Sequence, residues 1–70
     1  MATAVKRYRM DADLSLAELA RRAGVDFQTV KRAEDGKPIQ EINANKIARA
    51  LSQALDTTLS IDDLGIILYP

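Results

Sequence analysis

The chain has 70 residues, 47% hydrophobic and 29% charged, with ten basic side chains balanced by ten acidic ones. That bounds it to one small domain with little room for a substrate cleft. With neither cysteine nor histidine, it lacks disulfide staples, the usual zinc ligands and the commonest nucleophile and base pairs, so no catalytic residue, metal or cofactor is assigned.

An enzyme acting on a small-molecule substrate is therefore not expected. The missing cysteines fit a reducing, cytoplasmic setting. The apolar run "GIILY" (65–69) is far too short for a membrane span or a signal-peptide core, so no membrane partner is expected. Zero net charge argues against a nucleic-acid partner, but the charge is unevenly spread. Residues 1–37 carry two more basic than acidic side chains, and residues 38–70 two fewer. A basic half beside an acidic half suits one-sided binding to DNA.

The first helix is predicted over Ala4 to about Asp11, with Val5 and Tyr8 facing inward. "LSLAEL" (14–19) then opens a second helix. Ser15 can cap it, Glu18 can bond back, and Leu14 and Leu19 can form a hydrophobic staple. This helix runs from Leu16 to Ala23, its apolar stripe made by Leu16, Leu19, Ala20 and Ala23 at helical spacing. Gly24 fits the left-handed position that ends a helix. "VDFQTV" (25–30) repeats the opening logic with Asp26 as cap and Val25 and Val30 as staple. A third helix follows from Phe27 to about Asp35, stopped by Gly36 and Lys37-Pro38, because the residue before proline is pushed out of helical geometry.

A fourth helix is predicted over roughly Glu41 to Leu55, with Ile42, Ile47, Ala50, Leu51, Ala54 and Leu55 as its apolar set. "LSIDDL" (59–64) is a third capped start, using Ser60 and Asp63, for a short helix over Ile61 to Leu64. The tail "GIILYP" has the composition of a strand. The expected fold is all-α: a compact bundle of four to five short helices with an extended apolar C-terminal tail. Residues 1–64 form the domain, with the tail at 65–70.

Helices two and three, joined by the tight turn Ala23-Gly24-Val25, make a helix–turn–helix over residues 16–35. Ala20 is small enough for a close crossing, Gly24 permits the reversal, and Val30 fills the angle between the helices. Such a unit can lay its second helix in the major groove while the start of its first faces a phosphate.

The stretch "LSLAELARRAGVDFQTVKRAEDGK" resembles the lambda-repressor-like helix-turn-helix family of phage and bacterial regulators. Val5, Tyr8 and Arg9 fall at that family's first-helix positions, "KIARAL" (46–51) resembles its fourth helix, and "SIDDL" (60–64) its last. The resemblance spans about residues 5–64. It implies a transcriptional regulator, a repressor in the first instance, that binds double-stranded DNA as a homodimer. It assigns base reading to Phe27, Gln28, Lys31 and Arg32, and phosphate contact to Ser15, Thr29 and Lys37. It also implies a structural ion pair between Arg9 and Glu34.

The chain departs from that pattern in three places. The family's glutamine at the first residue of helix two is Leu16 here, and a glutamine common at the first residue of helix three is Phe27. An apolar Leu16–Phe27 contact is expected to replace a polar pair. That patch can press on a thymine methyl, or it can serve a protein partner, as in an antitoxin-like or assembly module on the same fold. Lys31 and Arg32 favour DNA; Asp26, Asp35 and the zero net charge favour the protein partner. Finally, "ALSQALDTTLSIDDL" (50–64) is about six residues longer than the family's usual link, which predicts a longer fourth helix. The tail is expected either to pack within a dimer, pairing as an edge strand across a two-fold axis, or to fold back over its own core.

Overall fold

A computed structural model describes residues 3–70. Five helices follow in chain order: α1 (Val5–Asp11), α2 (Leu16–Ala23), α3 (Phe27–Glu34), α4 (Glu41–Ala54) and α5 (Ile61–Leu64). Two of them begin with a closed capping box. In α2 the Ser15 hydroxyl accepts from the Glu18 N–H at 3.0 Å, and Glu18 Oε1 accepts from the Ser15 N–H at 2.9 Å. In α5 Ser60 and Asp63 make the same reciprocal pair at 3.0 and 2.8 Å. Each box satisfies helix-start donors that have no carbonyl partner within the helix.

Asp26 behaves differently. It occupies the residue before α3 with extended backbone, but its side chain makes no capping hydrogen bond. The expected cap is thus present in backbone only. The fold does not depend on that bond, because α3 is held from its inner face by the buried Val30, Ala33 and Glu34.

The core gathers residues from every helix. Leu19, Ile47, Leu51, Leu64, Val5 and Val30 are its largest fully buried side chains. Helix α4 is the central element, packing on α2, α3 and α5, and it buries Ala44, Ile47, Ala48, Ala50 and Leu51. Ile42 lies off that stripe and is 65% exposed. It stands five residues before Ile47, which turns it well away from Ile47 at about 100° per residue. The predicted lengthening of α4 is present through Ala54. Beyond it, the Ser52 hydroxyl donates to the Ala48 carbonyl at 2.6 Å and accepts from the Leu59 N–H at 2.9 Å. One side chain thereby anchors the extended link to the helix it leaves.

The tail folds back on its own chain. Ile39 and Leu68 form an isolated parallel bridge, with the Ile39 N–H donating to the Ile67 carbonyl at 2.9 Å and the Tyr69 N–H to the Ile39 carbonyl at 3.1 Å. Ile66 is buried, whereas Ile67 and Tyr69 remain exposed. The strand-like composition is therefore used within the chain, against the segment that leaves α3. At the other end, the Ala4 N–H donates to the Leu64 carbonyl at 3.0 Å, and the Thr3 hydroxyl to the Ala33 carbonyl at 2.8 Å. These bonds tie the start of α1 to the ends of α5 and α3.

Candidate nucleic-acid interface

The turn between α2 and α3 is made by Gly24, at φ 72° and ψ 36°. Its N–H donates to the Ala20 carbonyl at 2.9 Å, and the Val25 N–H reaches the same carbonyl at 3.0 Å. These bonds close the end of α2 and reverse the chain within three residues. Ala20 is 5% exposed and Val30 fully buried, which places small and branched packing where the two helices meet.

That packing decides which face of α3 is free. Val30, Ala33 and Glu34 point into the protein. Phe27, Gln28, Lys31 and Asp35 are exposed, and their spacings of three and four residues put them on one outward stripe. Thr29 and Arg32 are half-buried on its flanks. Phe27 is 45% exposed, while Leu16 is partly buried and packs against the core. The Phe27 ring is thus presented at the surface at the very start of α3.

The charges on this face are mixed. Lys31 Nζ lies 4.0 Å from Asp35 Oδ2, with both side chains about half exposed. Such a surface pair contributes only a few tenths of a kcal/mol, so it leaves Lys31 free to turn to another anion. At the start of α2, Ser15 is exposed, and its hydroxyl already accepts the Glu18 N–H. Hydrogen bonds from the Ser15 backbone and hydroxyl hold the Glu18 carboxyl below its ordinary value of 4.5. A stabilised carboxylate therefore stands beside the helix start that a phosphate would approach, where it complements the positive end of the helix dipole and repels an incoming phosphate. Lys37 is exposed just past α3, with its N–H donating to the Arg32 carbonyl at 2.9 Å.

Arg9 and Glu34 are brought together beneath this surface. Arg9 Nε donates to Glu34 Oε2, Nη2 donates to Oε1 at 3.3 Å, and Nη1 donates to the Leu14 carbonyl at 2.9 Å. Glu34 is the buried charged residue of the core, 7% exposed. Its charge is matched by Arg9 and is not displayed on the outward stripe.

A helix-turn-helix family model matches residues 5–61. The chain belongs to the Cro/C1-type helix-turn-helix family. That is a family of DNA-binding regulators, generally non-enzymatic. No curated protein and no solved structure matches the chain. Among the described residues, no helix is long and apolar enough to cross a membrane.

In this helix-turn-helix domain the match stops short of the tail, and the tail holds the residue that sequence reading missed. Arg32 Nε and Nη2 both donate to the Pro38 carbonyl, at 3.3 and 3.0 Å, and Nη2 also donates to the Tyr69 hydroxyl at 3.0 Å. The guanidinium carbon lies 5.9 Å from the centre of the Tyr69 ring. No local signal marks Tyr69 as a partner of α3, because the two are 37 residues apart. They meet only after the tail has paired with Ile39.

Proposed function

We propose that the chain is a sequence-specific transcriptional regulator, a repressor that inserts α3 into the major groove as a homodimer. The observation that carries this reading is the outward stripe of α3. Immediately after the Gly24 turn, Phe27, Gln28 and Lys31 are exposed together, while the opposite face is fixed in the core.

Each side chain on that stripe has a partner chemistry. The Gln28 amide matches adenine N6 and N7, and the Phe27 ring matches a thymine methyl. Lys31 can reach guanine or a phosphate. Ser15, Thr29 and Lys37 border the stripe as phosphate contacts, since each carries a hydroxyl or ammonium donor. Arg32 joins them in the free chain's geometry, because its bonds to Pro38 and Tyr69 occupy much of its fork. Repression follows from occupying promoter DNA. A dimer reads two half-sites about one helical turn apart.

The test is selection of bound duplexes from a random library. Enrichment of an inverted repeat with half-sites about 10 base pairs apart is expected for a two-fold dimer. Enrichment of a single half-site would remove the dimer, and no enrichment would remove sequence-specific binding. Affinity for the enriched site should fall steeply as salt rises, because phosphate contacts release counterions.

A second reading has its own observation. The exposed Phe27 ring is flanked by Asp26, and the start of α2 carries the Glu18 carboxylate. An exposed aromatic ring beside an acidic side chain suits a protein partner that offers an apolar pocket edged by a basic group. Under this reading the exposed Phe27 ring is the centre of a docking surface, and the chain is an antitoxin-like or assembly module. A fluorescence anisotropy titration against random duplex at low and moderate salt separates the two. Binding at micromolar protein that weakens with salt supports DNA; its absence supports the protein partner.

A further inference from the structure

The tail lies outside the region that the family model matches, which ends at residue 61, and Tyr69 is part of it. Yet Tyr69 touches α3, the helix proposed to enter the groove. Its backbone N–H is held by the Ile39 carbonyl at 3.1 Å, and its hydroxyl and ring both engage Arg32.

The donor inventory of Arg32 defines the consequence. A guanidinium has five N–H donors, one on Nε and two on each terminal nitrogen. Here the Nε donor goes to Pro38, and Nη2 serves both Pro38 and Tyr69. The two donors on Nη1 remain. Bidentate reading of guanine O6 and N7 uses the fork of two adjacent nitrogens. With Nε and Nη2 committed, Arg32 offers one nitrogen, which suits a single phosphate oxygen.

We infer that Tyr69 is a positioning residue of the DNA interface, holding Arg32 so that it contacts the sugar-phosphate backbone and does not read a base. This rests on the DNA-binding reading above and adds the tail to it. The contact is sequence-independent: it raises affinity for every duplex and leaves selectivity to the outward stripe.

The test is a double-mutant cycle with Arg32→Ala and Tyr69→Ala, read on the selected site and on random duplex across a salt series. Arg32→Ala is expected to weaken both duplexes equally, by about tenfold, and to reduce the slope of log K against log salt by about one. Tyr69→Ala should weaken both in the same ratio and add nothing when Arg32 is already alanine. A merely structural tail would lower thermal stability without moving the salt slope, and that result overturns the inference. So do additive losses in the cycle, or a loss from Arg32→Ala confined to the selected site. Should Tyr69→Ala not fold, Tyr69→Phe carries the test, since it keeps the ring and removes the hydroxyl; its loss must also vanish in the Arg32→Ala background. A wild-type chain that binds no duplex overturns the DNA reading and this inference together, whereas binding with additive losses overturns this inference alone.

Discussion

Arg9 on α1 and Glu34 at the end of α3 close a two-pronged ion pair, their side chains only 13% and 8% exposed. The pair fixes how the first helix meets the helix that carries the outward stripe. Removing one partner leaves the other charge buried and unmatched, which costs about 3 kcal/mol or more. A 70-residue domain has on the order of 5 kcal/mol of total stability. Arg9→Ala should therefore remove much of the folding free energy in urea denaturation, and Glu34→Ala a similar amount. Arg9→Met combined with Glu34→Leu should recover part of the loss, because no charge is then stranded, although the Leu14 carbonyl loses a donor. An Arg9→Ala midpoint equal to wild type would show that the pair is not needed to hold α1 on α3.

Gly24 isolates a purely backbone cost. It ends α2 at φ +72°, and a Cβ built there meets nothing within 4 Å. Gly24→Ala should thus lose only the left-handed conformational preference, about 1 kcal/mol. Gly24→Asn should lose less, since asparagine tolerates that region better. A loss of several kcal/mol for alanine would mean that the turn itself shifts, and DNA binding would then fall with it.

What could be read from the sequence was local. Ser15 with Glu18, and Ser60 with Asp63, are each three residues apart, so their reciprocal bonds follow from spacing alone. Gly24 was legible for the same reason. Asp26 was legible as a position but not as a contact, because a suitable side chain at a helix start need not turn toward the backbone. Ile42 belongs by composition to the apolar set of α4, yet it is 65% exposed, since being apolar does not place a residue in phase with the core stripe. The Arg32–Tyr69 contact was out of reach. It depends on where the tail returns, which the bridge of Leu68 to Ile39 decides. That Phe27, Gln28 and Lys31 share one exposed stripe follows from helical spacing, while the half-burial of Arg32 needed the tertiary structure.

The capping boxes predict the direction of acid sensitivity. Glu18 and Asp63 both have pKa values lowered in the folded chain, chiefly by hydrogen bonds from the Ser15 and Ser60 backbones and then from their hydroxyls. Their ordinary values are 4.5 and 3.8. The unfolded chain then binds more protons in the window just below those values, so stability rises with pH through it. The contribution is fully present above about 4.5 and is lost as pH falls through the lower folded values. Both carboxylates are exposed, so screening keeps the effect small. Thermal unfolding from pH 6 to pH 2.5 should show a shallower acid loss for Glu18→Gln than for wild type. Identical pH profiles would mean that the Ser15–Glu18 bonds do not favour the charged carboxylate.

Phe27 and Gln28 separate base reading from packing. Both are exposed at the start of α3, so replacing either should change binding more than folding. Gln28→Ala should relax the preference at one adenine-bearing position, by about 1–3 kcal/mol of discrimination, and leave other positions unchanged. Phe27 is best tested from the DNA side. Replacing a contacted thymine by uracil removes only the C5 methyl, so wild-type binding should weaken at that position. In Phe27→Ala the same replacement should have no effect, because the ring that touches the methyl is gone. Equal sensitivity to uracil in both proteins would take Phe27 off the DNA and leave its exposed ring to a protein partner.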